Sequence, residues 1–188
     1  MQLEDAIKKR KSVRRYSDKK PDWRKIIRAI DAARYAPTAG GIDSVRFIIV
    51  QDKEKIKELA EASQQDFIAQ AQYVVVVISL DVKVKRFYEE FGEKFARQQA
   101  GAAIENFLLK LTADGLATCW IGYFAEDQVK RILSIPDKAV VEALFPIGFE
   151  TKVKTSSPAK PLLENILWFD KFKNKYMEPK TRVGLEQI

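Results

Sequence analysis

A layered α/β or α+β domain is the fold class this sequence predicts, and three observations predict it. Segments with helical and with strand character alternate along the chain. Residues 73–80 contain Val74-Val75-Val76-Val77-Ile78, a continuous apolar run of the kind found in a central strand covered on both faces. Residues 93–113 place apolar or small side chains at 96, 100, 103, 104, 107, 108 and 111, the 3.6-residue period of a long helix lying on a sheet. Long helices that flank apolar strands bury both by layering. At 188 residues and 46% hydrophobic content, one domain with a sizeable core is expected. There is no internal repeat and no linker-like stretch. Residues 1–188 therefore read as a single domain, with 151–188 as a C-terminal arm packing on the body or on a partner subunit.

The elements follow in order. Residues 3–9 read as a short helix leading into a basic run. Asp22 is placed to cap a helix reaching about Tyr35. Ala36-Pro37-Thr38-Ala39-Gly40-Gly41 ends it, because proline stops the helix and glycine admits unusual backbone angles. Residues 45–50 read as a buried strand, 53–63 as an exposed helix and 73–80 as the central strand. The 93–113 helix carries the small-residue stripe Ala100-Gly101-Ala102-Ala103, which lets another helix approach closely, and Gly115 supplies its C-cap. Residues 118–122 form a short strand or extended loop, 126–133 a helix and 140–149 a last strand. Residues 81–93 read as a short connection.

Composition narrows the chemistry. The chain has no histidine and one cysteine, Cys119. Ser-His and Cys-His nucleophile arrangements are thereby excluded, and the usual zinc sites with them. A chain this poor in catalytic side chains either is not an enzyme or borrows its chemistry from an organic cofactor. The net charge of +7 suits an anionic ligand. Acidic residues are nevertheless scattered throughout and no aromatic-interleaved basic stripe occurs, which argues against nucleic acid. No run approaches 18 consecutive apolar residues, so no membrane span is expected. The polar N-terminus and single cysteine lead us to expect a cytoplasmic protein.

Three segments are candidate sites. In Lys8-Lys9-Arg10-Lys11-Ser12-Val13-Arg14-Arg15, two guanidinium forks flank one hydroxyl and would grip a phosphate from two sides. Taken alone, the run is equally an ordinary solvated basic face. Gly40 and Gly41 expose backbone groups to the edge of a planar heterocycle, or simply make a tight turn. Trp120 offers a flat surface and Gly122 close backbone approach, or Thr118–Gly122 is a core strand. No Gly-x-Gly-x-x-Gly follows the strands and no P-loop motif occurs.

Taken together and in this order, the segments resemble the FMN-dependent nitroreductase superfamily. Arg10-Lys11-Ser12-Val13-Arg14-Arg15-Tyr16 is similar to that family's Arg-Arg-Ser-x-Arg-x-Phe/Tyr box. Ala36-Pro37-Thr38-Ala39 resembles Ala-Pro-Ser-Ser. Gln65-x-Phe67-Ile68 looks like the segment whose Gln nears the flavin pyrimidine edge. Gly115-Leu116-Ala117-Thr118-Cys119-Trp120-Ile121-Gly122 is close to Gly-Leu-Gly-Thr-Cys-Trp-Ile-Gly. The resemblance implies a three-layer α/β/α sandwich with a mixed central sheet, built as an intertwined homodimer with two FMN sites at the interface. It implies ping-pong transfer from NADH or NADPH through FMN to a small-molecule electron acceptor such as a nitroaromatic or quinone.

By the same resemblance Arg10, Lys11, Ser12 and Arg14 hold the phosphate and ribityl oxygens, aided by Lys160. Pro37, Thr38, Ala39, Gly40, Gly41, Asp43 and Gln65 border the flavin. Trp120, Ile121, Gly122 and Tyr123 form the loop at its reactive edge. Two departures stand out. The family's x-Asn-x-Gln-Pro-Trp is here Gly40-Gly41-Ile42-Asp43-Ser44-Val45, a double-glycine version more like the thiazole/oxazole oxidase branch. Ser157-Pro158-Ala159-Lys160-Pro161 keeps one cation where relatives often have two. A flavin oxidase acting on a heterocycle or peptide, and a degenerate binding protein with weak FMN affinity, remain as alternatives.

Overall fold

The computed structural model describes residues 1–151 and 159–177. The chain groups into two units, Met1–Val153 and Lys154–Ile188. The first holds the sheet and nearly all of the helices. Its elements are α1 (Leu3–Lys9), α2 (Trp23–Ala33), β1 (Val45–Val50), α3 (Lys53–Ser63), β2 (Tyr73–Ser79), α4 (Val82–Tyr88), α5 (Gly92–Ala113), β3 (Ala117–Thr118), α6 (Glu126–Leu133) and β4 (Val140–Gly148).

The strands lie in the order β1-β2-β4-β3, and each adjacent pair is antiparallel. The only parallel pairing among the described residues is a bridge of Ser12 with Thr118, so the sheet is mixed only where the N-terminal segment joins it.

β2 explains the three layers. All seven of its residues are buried. Val74, Val76 and Ile78 face a core with Ile56 and Leu59 of α3 and Val129 of α6. Tyr73, Val75 and Val77 face a second core with Ile26 and Ala29 of α2 and Ile104, Phe107 and Leu111 of α5. Alternate residues of a strand point to opposite faces, so a continuous apolar run requires a layer on each side. Phe107, fully buried, packs its ring 5.7 Å from Phe47 and 5.6 Å from Phe145.

The register slips once. Val77 pairs with Ala143 and Ile78 with Val141, leaving Glu142 as the extra residue of a bulge. The bulge turns Glu142 toward α5, where its carboxylate accepts from Arg97. Arg97 also donates to the buried Asp81 at 2.5 Å, and Lys85 approaches the same carboxylate at 3.0 Å.

Those contacts fasten α4, which the sequence reading of 81–93 as a short connection missed. Its Val-Lys-Val-Lys start alternates like a strand, and only Val84 is buried. The helix lies so close to α5 that a Cβ at Gly92 would stand 2.4 Å from Lys85 Cα. Elsewhere local signals carried through. Asp22 caps α2 by accepting from Arg24 N–H. Gly115 takes φ 75° beyond α5.

The second unit contains α7 (Leu163–Ile166). Trp168 packs edge-on against Phe172 at 4.8 Å, with Lys175 5.3 Å above the Trp168 ring. Lys160 is an exposed residue of this unit. Ser157 and Pro158 lie outside the described residues.

Candidate functional site

The basic box is extended. Arg10 leaves the helical region at φ −59°, ψ 123°. From there Ser12, Arg14 and Arg15 are exposed, while Val13 and Tyr16 are buried together. Arg10 and Ser12 border one cavity. Val13 N–H donates to Thr118 C=O at 2.9 Å, which sets the box directly beside β3.

Tyr16 anchors the far end, its hydroxyl donating to Val13 C=O at 2.6 Å. Burial pushes that hydroxyl's pKa far above its ordinary value, so it stays a neutral donor. Behind it a Cβ at Gly148 would stand 2.9 Å from the Tyr16 ring. Lys11 takes Glu150 as partner at 2.7 Å, so its ammonium is already matched by a carboxylate.

A cavity of about 190 Å³ opens at this junction, lined by Arg10, Lys11, Ser12, Glu105, Thr118 and Trp120. Arg14 stands outside that lining. Bridge partners share a face and alternate residues repeat it, so Ser12, Thr118 and Trp120 look the same way. Trp120 remains 43% exposed although its ring meets Phe145 at 5.6 Å. Thr118 is buried, and its hydroxyl has no hydrogen-bond partner among the described residues. Buried hydroxyls are usually paired; those of Ser79 and Thr151 are also without a partner among the described residues, but Thr118 is the one of the three that lines this cavity.

Between Thr118 and Trp120, Cys119 is buried in the opposite core. Burial raises its thiol pKa, opposed in part by Arg14 and a Ser12 hydrogen bond. It is a packing thiol. Ile121 exchanges backbone hydrogen bonds of 3.0 Å with Leu144. Beyond it Gly122 and Tyr123 are exposed.

The second group of predicted residues lies elsewhere on the protomer. Ala39–Gly41 is a 3-10 turn, with Gly40 and Gly41 at φ 57° and 72°. A Cβ at Gly40 would also stand 2.6 Å from the Tyr88 hydroxyl, so this position needs glycine twice over. Gln99 of α5, 5% exposed, clamps the loop. Its side-chain oxygen accepts from Ala39 N–H at 3.0 Å. Its amide donates to Ile42 C=O at 3.3 Å and to the Ser44 hydroxyl.

Pro37 and Thr38 border a groove of about 540 Å³ between α2, α5 and the edge strand β1. With Ala39 they also border a pocket of about 320 Å³ with Tyr88 and Phe95. Asp43 is committed locally, accepting from Val45 N–H at 3.2 Å and Arg46 at 2.8 Å.

Gln65 caps a 3-10 turn, Asp66–Gln70, without a side-chain capping bond. The glutamine that reaches the box is Gln70, whose side-chain oxygen accepts from Tyr16 N–H at 3.5 Å. Sequence reasoning also passed over Gln99 and Glu105, and took Thr118 only as the start of a segment. Gln99 carried one usable signal, a polar residue at a core-facing position beside the small-residue stripe.

Gln99→Ala removes both halves of this clamp and leaves Ala39 N–H short of its acceptor. A lost buried polar contact of this kind costs about 2 kcal/mol. For a chain of this size the melting temperature should fall by roughly 4–8 °C. An unchanged thermal melt would show that the loop is held by other means.

The "Nitroreductase family" profile matches residues 7–67 and 60–149. The chain belongs to the nitroreductase family. As a member it is an oxidoreductase. An Archaeoglobus fulgidus protein, provisionally named an NADH dehydrogenase/NAD(P)H nitroreductase, is 27% identical over 154 residues, 78% of this chain and 86% of that one. A nitroreductase family protein of Clostridium difficile 630 superimposes with TM-score 0.80 and 28% identity, covering 92% of this chain and 100% of that one. An FMN-dependent nitroreductase of Clostridium difficile R20291 does so with TM-score 0.76 and 26% identity, covering 89% and 98%. In this nitroreductase-family chain no helix among the described residues is long and apolar enough to cross a membrane.

Proposed function

We propose that the protein is an FMN-dependent oxidoreductase that works as a homodimer. It takes electrons from NADH or NADPH and passes them in ping-pong order to an oxidised small molecule such as a nitroaromatic or quinone. The observation that carries this reading is the cavity beside the basic box. Its donor set fits a flavin phosphate: the Arg10 guanidinium, the exposed Ser12 hydroxyl and the unpartnered Thr118 hydroxyl meet at one place. Trp120 adds a partly exposed apolar plane, and backbone donors at Gly122 and Tyr123 lie beyond the last sheet hydrogen bond.

Size argues for two subunits. At about 190 Å³ the cavity falls below the roughly 300–1,000 Å³ usual for a cofactor or substrate pocket. The Pro37–Gly41 loop, the other half of the predicted flavin surround, borders different cavities of the same protomer. A second copy brings one protomer's box to another protomer's loop. The 540 Å³ groove along the edge strand β1 and the small stripe at Gly101 and Ala102 give such a copy a surface to cover.

FMN when bound supplies the two-electron redox chemistry, which a chain with one buried cysteine and no second thiol does not carry itself. The protein's part is to hold the phosphate with Arg10, Ser12 and Thr118, with the exposed Arg14 adding charge from outside the cavity, to set Trp120 beside the ring system and to keep Cys119 protonated and out of the reaction. Gly40 and Gly41 both have a local structural reason in their positive φ, and Gly40 a second in the Tyr88 contact, which accounts for the pair without a heterocyclic or peptide substrate.

The visible spectrum of the purified protein tests the reading. Flavin absorbance that bleaches on anaerobic mixing with NADH or NADPH, in a particle of dimeric mass by sedimentation, is expected. A colourless protein that takes up no added FMN overturns it. Bound flavin that no nicotinamide reduces would favour the oxidase alternative.

A further inference from the structure

The cavity beside the basic box contains a carboxylate, and a pocket for a phosphate dianion has no obvious use for one. Glu105 lines it from α5, with its side chain 49% exposed and an oxygen 3.8 Å from Arg10 Nε. That separation is beyond hydrogen-bond length, so Glu105 does not orient the guanidinium. What it contributes is negative charge. The other cation of the lining, Lys11, is already matched by Glu150 at 2.7 Å. Each cation of the cavity thus has a carboxylate beside it, and Arg14 stands outside.

We propose that Glu105 is a built-in competitor of the flavin phosphate: it shares the charge of Arg10 and thereby weakens FMN binding at this pocket. The inference rests on the flavin reading above. A dianion entering the cavity draws Arg10 toward itself and meets Glu105 as a like charge. Thr118 is the complementary part. Its buried hydroxyl, on the face it shares with Ser12, has no protein partner among the described residues, and a phosphate oxygen would supply an acceptor for it. Glu105 therefore opposes the anion that Arg10, Ser12 and Thr118 favour, and the balance sets an intermediate affinity.

The test titrates FMN and riboflavin into flavin-free wild type, Glu105→Gln and Thr118→Val, following the quenching of flavin fluorescence. Removing one like charge a few ångströms from the phosphate should tighten FMN binding by about ten-fold. Riboflavin, which has no phosphate, should respond by less than about two-fold. Thr118→Val should weaken FMN binding by about five-fold, the worth of one hydrogen bond, and Thr118→Ser should restore it. Both substitutions nearly preserve side-chain volume, and thermal melts of the flavin-free proteins confirm folding.

Unchanged or weaker FMN binding in Glu105→Gln sinks the proposal, because that is the signature of a positioning residue. Equal tightening of riboflavin sinks it as well. Wild type that binds no FMN overturns the flavin reading itself. Wild type that binds FMN, with Glu105→Gln and Thr118→Val both unchanged, overturns only the opposing roles of Glu105 and Thr118.

Discussion

Purified Arg10→Ala/Arg14→Ala protein should be folded and colourless, with FMN binding weakened by roughly 100-fold or more. Hydrogen bonds from a guanidinium to a phosphate contribute about 1.5–3 kcal/mol each. Arg14 is exposed, so water screens its share. A combined loss of about 3 kcal/mol is a reasonable floor, and that is about 100-fold in dissociation constant. The fold should survive because the box is fastened by other groups. Val13 N–H keeps Thr118 C=O, and the Tyr16 hydroxyl keeps Val13 C=O. Arg15, also exposed and absent from the cavity lining, is the control, and Arg15→Ala should retain its flavin. Equilibrium dialysis with FMN settles the matter: full flavin occupancy in the double variant would remove the box from the cofactor site.

The largest stability effect from a single polar substitution should come from Arg97→Ala. Arg97 joins two carboxylates that the fold has taken out of water. Asp81 has 2% of its side chain exposed and Glu142 10%. Removing the cation leaves Glu142 facing α5 without its guanidinium partner, while Asp81 falls back on Lys85. Breaking a buried ion pair costs about 3–5 kcal/mol, and the Lys85 contact favours the lower end. At about 2–4 °C per kcal/mol for this chain length, the melting temperature should drop by roughly 6–12 °C. The damage should centre on α4, since Asp81 begins it and Arg97 ties it to α5 and β4. Hydrogen exchange should therefore accelerate in 82–88 before it does in β2. A denaturation midpoint equal to wild type would mean that the network contributes nothing net. Arg97→Lys, which keeps the charge but loses the fork, should fall between the two.

Much of this molecule is legible in one dimension. Where an element buries a regular set of positions, its period appears in the sequence. The apolar positions assigned between 96 and 111 are all buried in α5. The valine run is the central strand β2, and β1, α3 and α6 begin and end where the local pattern changes. The box at 10–16 and the Thr118–Gly122 segment each stand out separately in the sequence. The structure sets them side by side, which neither segment announces, because the Ser12–Thr118 bridge joins distant parts of the chain.

Other features were not legible. α4 alternates like a strand, and its helical state depends on Asp81, Arg97 and the glycine at 92. Lys11 belongs to the basic run by sequence and to Glu150 by contact. The contact of Gln70 with Tyr16 N–H has no local signal in the sequence.

By itself, then, the sequence determined the class of the fold, the position of nearly every element and the absence of any histidine-based nucleophile site. These depend on local periodicity, turn residues and composition, all written in consecutive residues. Tertiary structure alone decided the strand order, the bulge that turns Glu142 toward Arg97, the Gln99 clamp and the carboxylate of Glu105 in the cavity beside the basic box. Each of these depends on charges or polar atoms brought together across dozens of residues. Their energies arise from distance and burial, quantities that do not exist until the chain has folded.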